Sequence, residues 1–280
     1  GGACPPAAGA GARDGGHSAH ETALGRRQRR LAPLPTLRIS CLVTVLIGLA
    51  ITPALAAPKL FESTQLTPSG EYTSGIEGPA VDRSGNLYVV NLGRPGTIGR
   101  LAPEAAASEK FTELPEGSIG NAIRIDAGGT MFIADYKKHN IFAIAAGTTE
   151  PRLVFHADGM SQPNDITLAR DGTIYASDPA WKARSGRIWR IARGPDGTMQ
   201  GVAMTAPRAM GTTNGIDLSP DGRTLYVGES NSGEIWSYAI EGEALTGPKL
   251  IKTFEPNTID GLRTDANGRL FIARILKGAI

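Results

Sequence analysis

The sequence predicts an all-β protein: a six-bladed β-propeller truncated at its C-terminal side, with about five blades present. Three observations predict this. A strand–turn–strand unit recurs about every 45 residues. Gly and Pro are abundant, at 36 and 19 of 280 residues, and long runs of helical apolar period are scarce. Polar residues also fall in one fixed phase of every unit.

In chain order, the first segment is not part of that pattern. Residues 1–25 are Gly/Ala-rich without apolar period and are expected to be disordered or upstream read-through. Residues 26–56 read as a secretory signal peptide: the basic "RRQRR", the apolar run "CLVTVLIGLA", and small residues at Ala54 and Ala56. Cleavage is expected near Ala56, which sends the product to the periplasm or outside the cell. The apolar run is short for a membrane span and Pro53 closes it. Both cysteines, Cys4 and Cys41, precede the expected cleavage point, so the mature chain has no disulfide and no thiol nucleophile.

Residues 57–280 form the expected propeller domain. The chain carries 29 Lys and Arg against 27 Asp and Glu, and six of the arginines lie in residues 1–56 beside only Asp14 and Glu21. The remainder is close to neutral and has no basic footprint for nucleic acid. A monomer acting on a small molecule, with no membrane contact after cleavage, is the expectation. "KLFESTQL" (59–66) reads as a spare strand ahead of the first hairpin, of the kind that completes the last blade of a closed ring.

The hairpins start at Glu77, Asn121, Asn164, Asn214 and Asp260. Each runs through an apolar strand to a turn glycine (Gly85, Gly129, Gly172, Gly222, Gly268) and into a second strand. The second strands are marked by Tyr88, Phe132, Tyr175, Tyr226 and Phe271, separated by 44, 43, 51 and 45 residues. "TIGRLAP", "NIFAIAA", "GRIWRIA" and "GEIWSYAI" read as third strands; "RLVFHA" and "KLIKTF" read as outer ones. The C-terminal segment "RLFIARILKGAI" falls within the fifth unit.

Counting back eight positions from each turn glycine reaches Glu77, Asn121, Asn164, Asn214 and Asp260. Three positions beyond each aromatic stand Asn91, Asp135, Asp178, Glu229 and Arg274. In an antiparallel hairpin the start of one strand lies beside the end of the next, so both sets share the end opposite the turn. In a propeller the first strand of each blade lines a central channel, so the first set converges on the axis. Carboxylate and amide oxygens without His or Cys are hard ligands, suited to Ca²⁺, Mg²⁺ or Mn²⁺ more than to structural zinc. Glu77 and Asp260 supply two negative charges. His139 and His156 are the histidines of the expected mature domain and read as turn or surface residues.

"IEGPAVD", "QPNDI", "SDP", "TNGIDLSPDGRTLYV" and "IDGLRTDANGRLFIA", in this order, resemble the SMP-30/gluconolactonase/regucalcin-like (LRE) family of six-bladed propellers over about residues 75–280. The resemblance implies one divalent cation, Ca²⁺ first, with Mg²⁺, Mn²⁺ or Zn²⁺ as alternatives. It would be held by Glu77, Asn164, Asn214 and Asp260. Asp260 would also be the catalytic base, and the activity would be hydrolytic opening of a sugar lactone. Asn121, Asn164, Asp178 and Arg274 are the candidate substrate contacts. For Asp178 the alternative is orientation of nearby backbone, and for Arg274 a surface ion pair. Gln162 and Glu229 depart from the family pattern, where some members have Arg and Asp. Two other classes stay open: a non-catalytic NHL-like binding propeller, and a lyase-type propeller, which requires a catalytic His that the phased set lacks.

Overall fold

The computed structural model describes residues 63–256 and 258–280. The expected leader, both cysteines and the first part of "KLFESTQL" lie outside the described residues.

The described chain is all-β and propeller-like. Four four-stranded antiparallel meanders follow one another, and then a two-stranded sheet. The first contains β1 (Ala80–Val81), β2 (Leu87–Val90), β3 (Thr97–Leu101) and β4 (Glu109–Glu113). The second contains β5 (Gly120–Ile125), β6 (Met131–Asp135), β7 (Asn140–Ile144) and β8 (Arg152–His156). The third contains β9 (Ile166–Leu168), β10 (Ile174–Asp178), β11 (Arg187–Arg193) and β12 (Met199–Ala203). The fourth contains β13 (Thr213–Leu218), β14 (Thr224–Glu229), β15 (Glu234–Glu241) and β16 (Ala244–Thr253). The last pairs β17 (Leu262–Thr264) with β18 (Leu270–Ile272) and is followed by a single 3₁₀ turn, Ile275–Lys277.

Every third and outer strand expected from the sequence is present, because alternating apolar residues between turn signals specify half-buried strands. Two details differ. Residues 63–66 are not a strand, and Leu66 is exposed; no strand of the described sheets pairs with them. At the hairpin turns only Gly85, Gly129, Gly172, Gly222 and Gly268 have positive φ, +84°, +87°, +86°, +72° and +80°, so each preceding Ser, Gly, Asp or Asn stays on the negative side. In four of the five the loop is a three-residue turn ending in a left-handed glycine, and the fourth hairpin has one more residue, Arg223, after its glycine. In three of them an Asp at the first position caps the loop: Asp82 Oδ1 accepts the N–H groups of Ser84 at 2.8 Å and Asn86 at 3.0 Å, and Asp126 and Asp265 repeat the arrangement.

The core lies between successive sheets. Tyr88, Val90 and Ile98 of the first pack against Ile123, Ile133 and Ile144 of the second. Ile141 and Phe155 face Ile166, Ile174 and Ile191, and Tyr175 and Ile188 face Ile216, Leu225 and Tyr238. Face-to-face burial sets the five first strands side by side, and their inner edges define where a site can form.

Candidate functional site

Glu77, Asn121, Asn164, Asn214 and Asp260, one from each hairpin, line a single cavity of about 280 Å³. Asn121 and Asn214 lie inside β5 and β13, while Glu77, Asn164 and Asp260 sit in the segments leading into β1, β9 and β17. Glycine makes this approach possible. Gly215 N–H donates to the Asp260 carbonyl at 3.0 Å, and a Cβ on Gly215 would overlap that oxygen and the Leu262 nitrogen. Gly78, at φ +58°, lies equally tight against the backbone of Asn121 and Ala122.

Hydrogen bonds orient the amides. Asn121 Nδ2 donates to the Asn164 carbonyl at 3.1 Å, and Asn214 Nδ2 donates to Ser230 Oγ at 3.0 Å and to Asp260 Oδ1 at 3.2 Å. Both amide nitrogens are thereby tethered, and the Oδ1 atoms have no protein partner among the described residues. The Glu77 carboxylate likewise accepts no hydrogen bond from a described residue. Its pKa is pushed up to about 7, first by burial, then by the nearby charges of Asp260 and Asp165. Burial also raises Asp260, against the lowering effect of its bond from Asn214. Two mutually repelling carboxylates among free amide oxygens form a hard-oxygen donor set that a divalent cation fits. Among the described residues no group of three or more His, Cys, Asp or Glu is placed to hold a metal, so the Asn oxygens are essential to such a site.

The second phased set has a different job. Asp178 is fully buried and lies outside the cavity wall. Its carboxylate accepts from the N–H groups of Ser161 at 2.9 Å and Gln162 at 2.8 Å and from Trp189 Nε1 at 3.3 Å. Arg274 stacks 4.6 Å over Phe254 and donates to the carbonyls of Glu255 and Pro256. Neither of these expected substrate contacts, Asp178 or Arg274, lines the cavity; their polar atoms hold the backbone that leads to Asn164 and Asp260. Asn91, Asp135 and Glu229 do the same, bonding Gly75 O, Ile119 N and Gly211 N respectively. In every sheet the end of the second strand thus ties down the loop that carries that sheet's cavity residue.

Beneath the cavity lies a charged layer absent from the sequence-based expectations. Asp165, buried, is 3.1 Å from Arg124 and 3.4 Å from Arg263. Burial lowers the Arg124 pKa to about 10 even though Asp165 pulls it up. The signal was present: three positions after each phased residue stand Ala80, Arg124, Thr167, Asp217 and Arg263, four polar side chains on strands whose inner edge is buried. These five line a second cavity of about 370 Å³, and Arg263 borders both. Neither His139 nor His156 lines either cavity. Trp189 packs against Phe155, while Trp181 is partly exposed in the loop after Pro179.

The described chain is thus an all-β, propeller-like protein whose first hairpin strands bring oxygen donors to one small-molecule-sized cavity. The chain belongs to the SMP-30/gluconolactonase/LRE-like region family, whose model matches residues 75–280. It is 25% identical over 226 residues to diisopropyl-fluorophosphatase of Loligo vulgaris, covering 71% of each chain. Among solved structures it is similar to a gluconolactonase from Xanthomonas campestris, with a TM-score of 0.61, 22% identity and coverage of 72% of this chain and 71% of that one. It is also similar to a calcium-binding protein, regucalcin, from Agrobacterium tumefaciens, with a TM-score of 0.55, 20% identity and coverage of 76% and 73%.

Proposed function

We propose that this protein is a divalent-cation-dependent hydrolase that opens a sugar lactone or a related cyclic ester. The observation that carries the reading is the convergence of five phased side chains on one cavity, two of them carboxylates and three of them amides, of which Asn121 and Asn214 are tethered through their nitrogens. Membership of a family that includes gluconolactonases, and similarity to a diisopropyl-fluorophosphatase, support hydrolysis as the reaction class.

Glu77, Asn164, Asn214 and Asp260 would hold the cation, with Ca²⁺ first because the donors are hard oxygens. When bound, such an ion polarises an ester carbonyl and offsets the charge that develops on its oxygen. Asp260 would accept the proton of the attacking water, and its raised pKa makes it a stronger base. Asn121, tethered to the Asn164 carbonyl, would orient the ring, and Pro79, Phe271 and Ala273 give its carbon skeleton an apolar wall. We also read the protein as a monomer exported by its N-terminal leader, and the fold as that of a six-bladed propeller.

Calorimetric titration of Ca²⁺, Mn²⁺ and Zn²⁺, paired with pH-stat assays on δ-gluconolactone and a dialkyl fluorophosphate, tests the reading. One bound cation and cation-dependent turnover are expected, both weakened in Glu77→Gln. A protein that binds no divalent cation and turns over neither substrate is instead a binding propeller.

A further inference from the structure

The charged layer under the cavity is unused by the chemistry proposed above, yet it is built with care. Asp165 Oδ1 lies 3.1 Å from Arg124, and Oδ2 lies 3.4 Å from Arg263 and accepts the Ile216 N–H at 3.1 Å. Asp217 accepts from Thr167 Oγ1 at 2.6 Å and from the Thr264 N–H at 2.7 Å. Arg124 reaches the Ile216 carbonyl at 3.4 Å. These bonds link the first strands of neighbouring and of next-but-one sheets along their inner edges, which have no ladder partner there.

The charges also balance. Two guanidiniums offset two carboxylates, Asp165 and Asp217, and leave Glu77 and Asp260 as the uncompensated pair. Asp165 nevertheless borders the same cavity as Glu77 and Asp260. It differs from them in having its oxygens engaged from below. Without that engagement the cavity would present three carboxylates to a cation rather than two. Arg263 is the adjustable member of the clamp, since its side chain is 40% exposed where that of Arg124 is 13% exposed.

We propose that Arg263, acting through Asp165, is a positioning residue that sets the charge selectivity of the cation site, holding it to two net negative charges and so limiting how far it prefers a trivalent ion to a divalent one. The inference rests on the cation-binding reading of the cavity. A guanidinium near a bound ion repels a trivalent ion more than a divalent one, and a freed Asp165 attracts it more, so both effects act in one direction.

The test is calorimetric titration of the full chain with Ca²⁺ and, as probe, Tb³⁺. In the unaltered protein the Tb³⁺-over-Ca²⁺ preference is expected to stay within about tenfold. Arg263→Gln should raise that preference by about a further tenfold, and Arg263→Lys, which keeps the charge, should leave it in place. A purely structural role would lower the melting temperature of Arg263→Gln without moving the ratio. An unchanged ratio in folded Arg263→Gln that still binds one cation overturns the inference and leaves the site reading standing. An unaltered protein that prefers Tb³⁺ by more than about tenfold overturns it without any variant. If the unaltered protein binds no cation, the cavity reading falls and this inference with it.

Discussion

Asp260 carries the heaviest demand of any single side chain in the proposed reaction, as both oxygen donor and base. Asp260→Asn keeps the shape and the neighbour Asn214, so circular dichroism should be unchanged while turnover falls by about a hundredfold or more. Glu77 makes a pH prediction. Its folded pKa of about 7 lies above the ordinary 4.5, so the folded cation-free protein holds a proton that the unfolded chain releases. Cation-free stability should therefore fall as pH rises from about 4.5 to about 7, and cation affinity should fall as pH drops below about 7. Thermal melts in chelator across that window check the first arm, and calorimetry checks the second. The five cavity residues were legible because each repeats at a fixed distance from a turn glycine. Arg124 and Arg263 were not, because one phased position per unit was read and the column three places further in was not; Asp165, one place after Asn164, read only as part of a strand-entry turn.

The most informative element is the segment before β9, held by the buried Asp178. Removing that carboxylate leaves the N–H groups of Ser161 and Gln162 and the Trp189 indole without an acceptor. Asp178→Ala should destabilise the fold by about 2–4 kcal/mol, measured by denaturant midpoint. It should also loosen the backbone under Asn164, raising KM more than it lowers kcat. The sequence placed Asp178 at the correct end of its hairpin but did not say which way it faces. Strand period fixes the end of a side chain's element, whereas the partner it finds depends on a loop folding back over it. β13 offers a second case. Gly215→Ala would press a methyl group into the Asp260 carbonyl and the Leu262 nitrogen, separating β13 from β17. A loss of about 1–3 kcal/mol and weakened cation binding are expected, read by thermal melting and calorimetry.

Across the whole molecule, sheet size sets local stability. β16, ten residues long, backs the fourth sheet, whereas β17 and β18 are three residues each and form a two-stranded sheet. Hydrogen exchange should find β17–β18 the least protected strands and β14–β15 among the most. A bound cation gripping Asp260 should slow exchange in β17 selectively, an effect absent in Asp260→Asn. The all-β class and meander order were legible because the unit repeats. The interlocking of sheets through Asp165, Asp217 and Asn214 was not, since it joins residues 45 or more apart that share no local pattern.

Each sheet supports its own cavity residue with its own polar anchor, from Asn91 behind Glu77 to Arg274 behind Asp260. The reagents are therefore mounted like separately seated tools on a common frame. A lineage that keeps the anchors can swap one exposed donor at a time, trying new reactions without first re-engineering the scaffold.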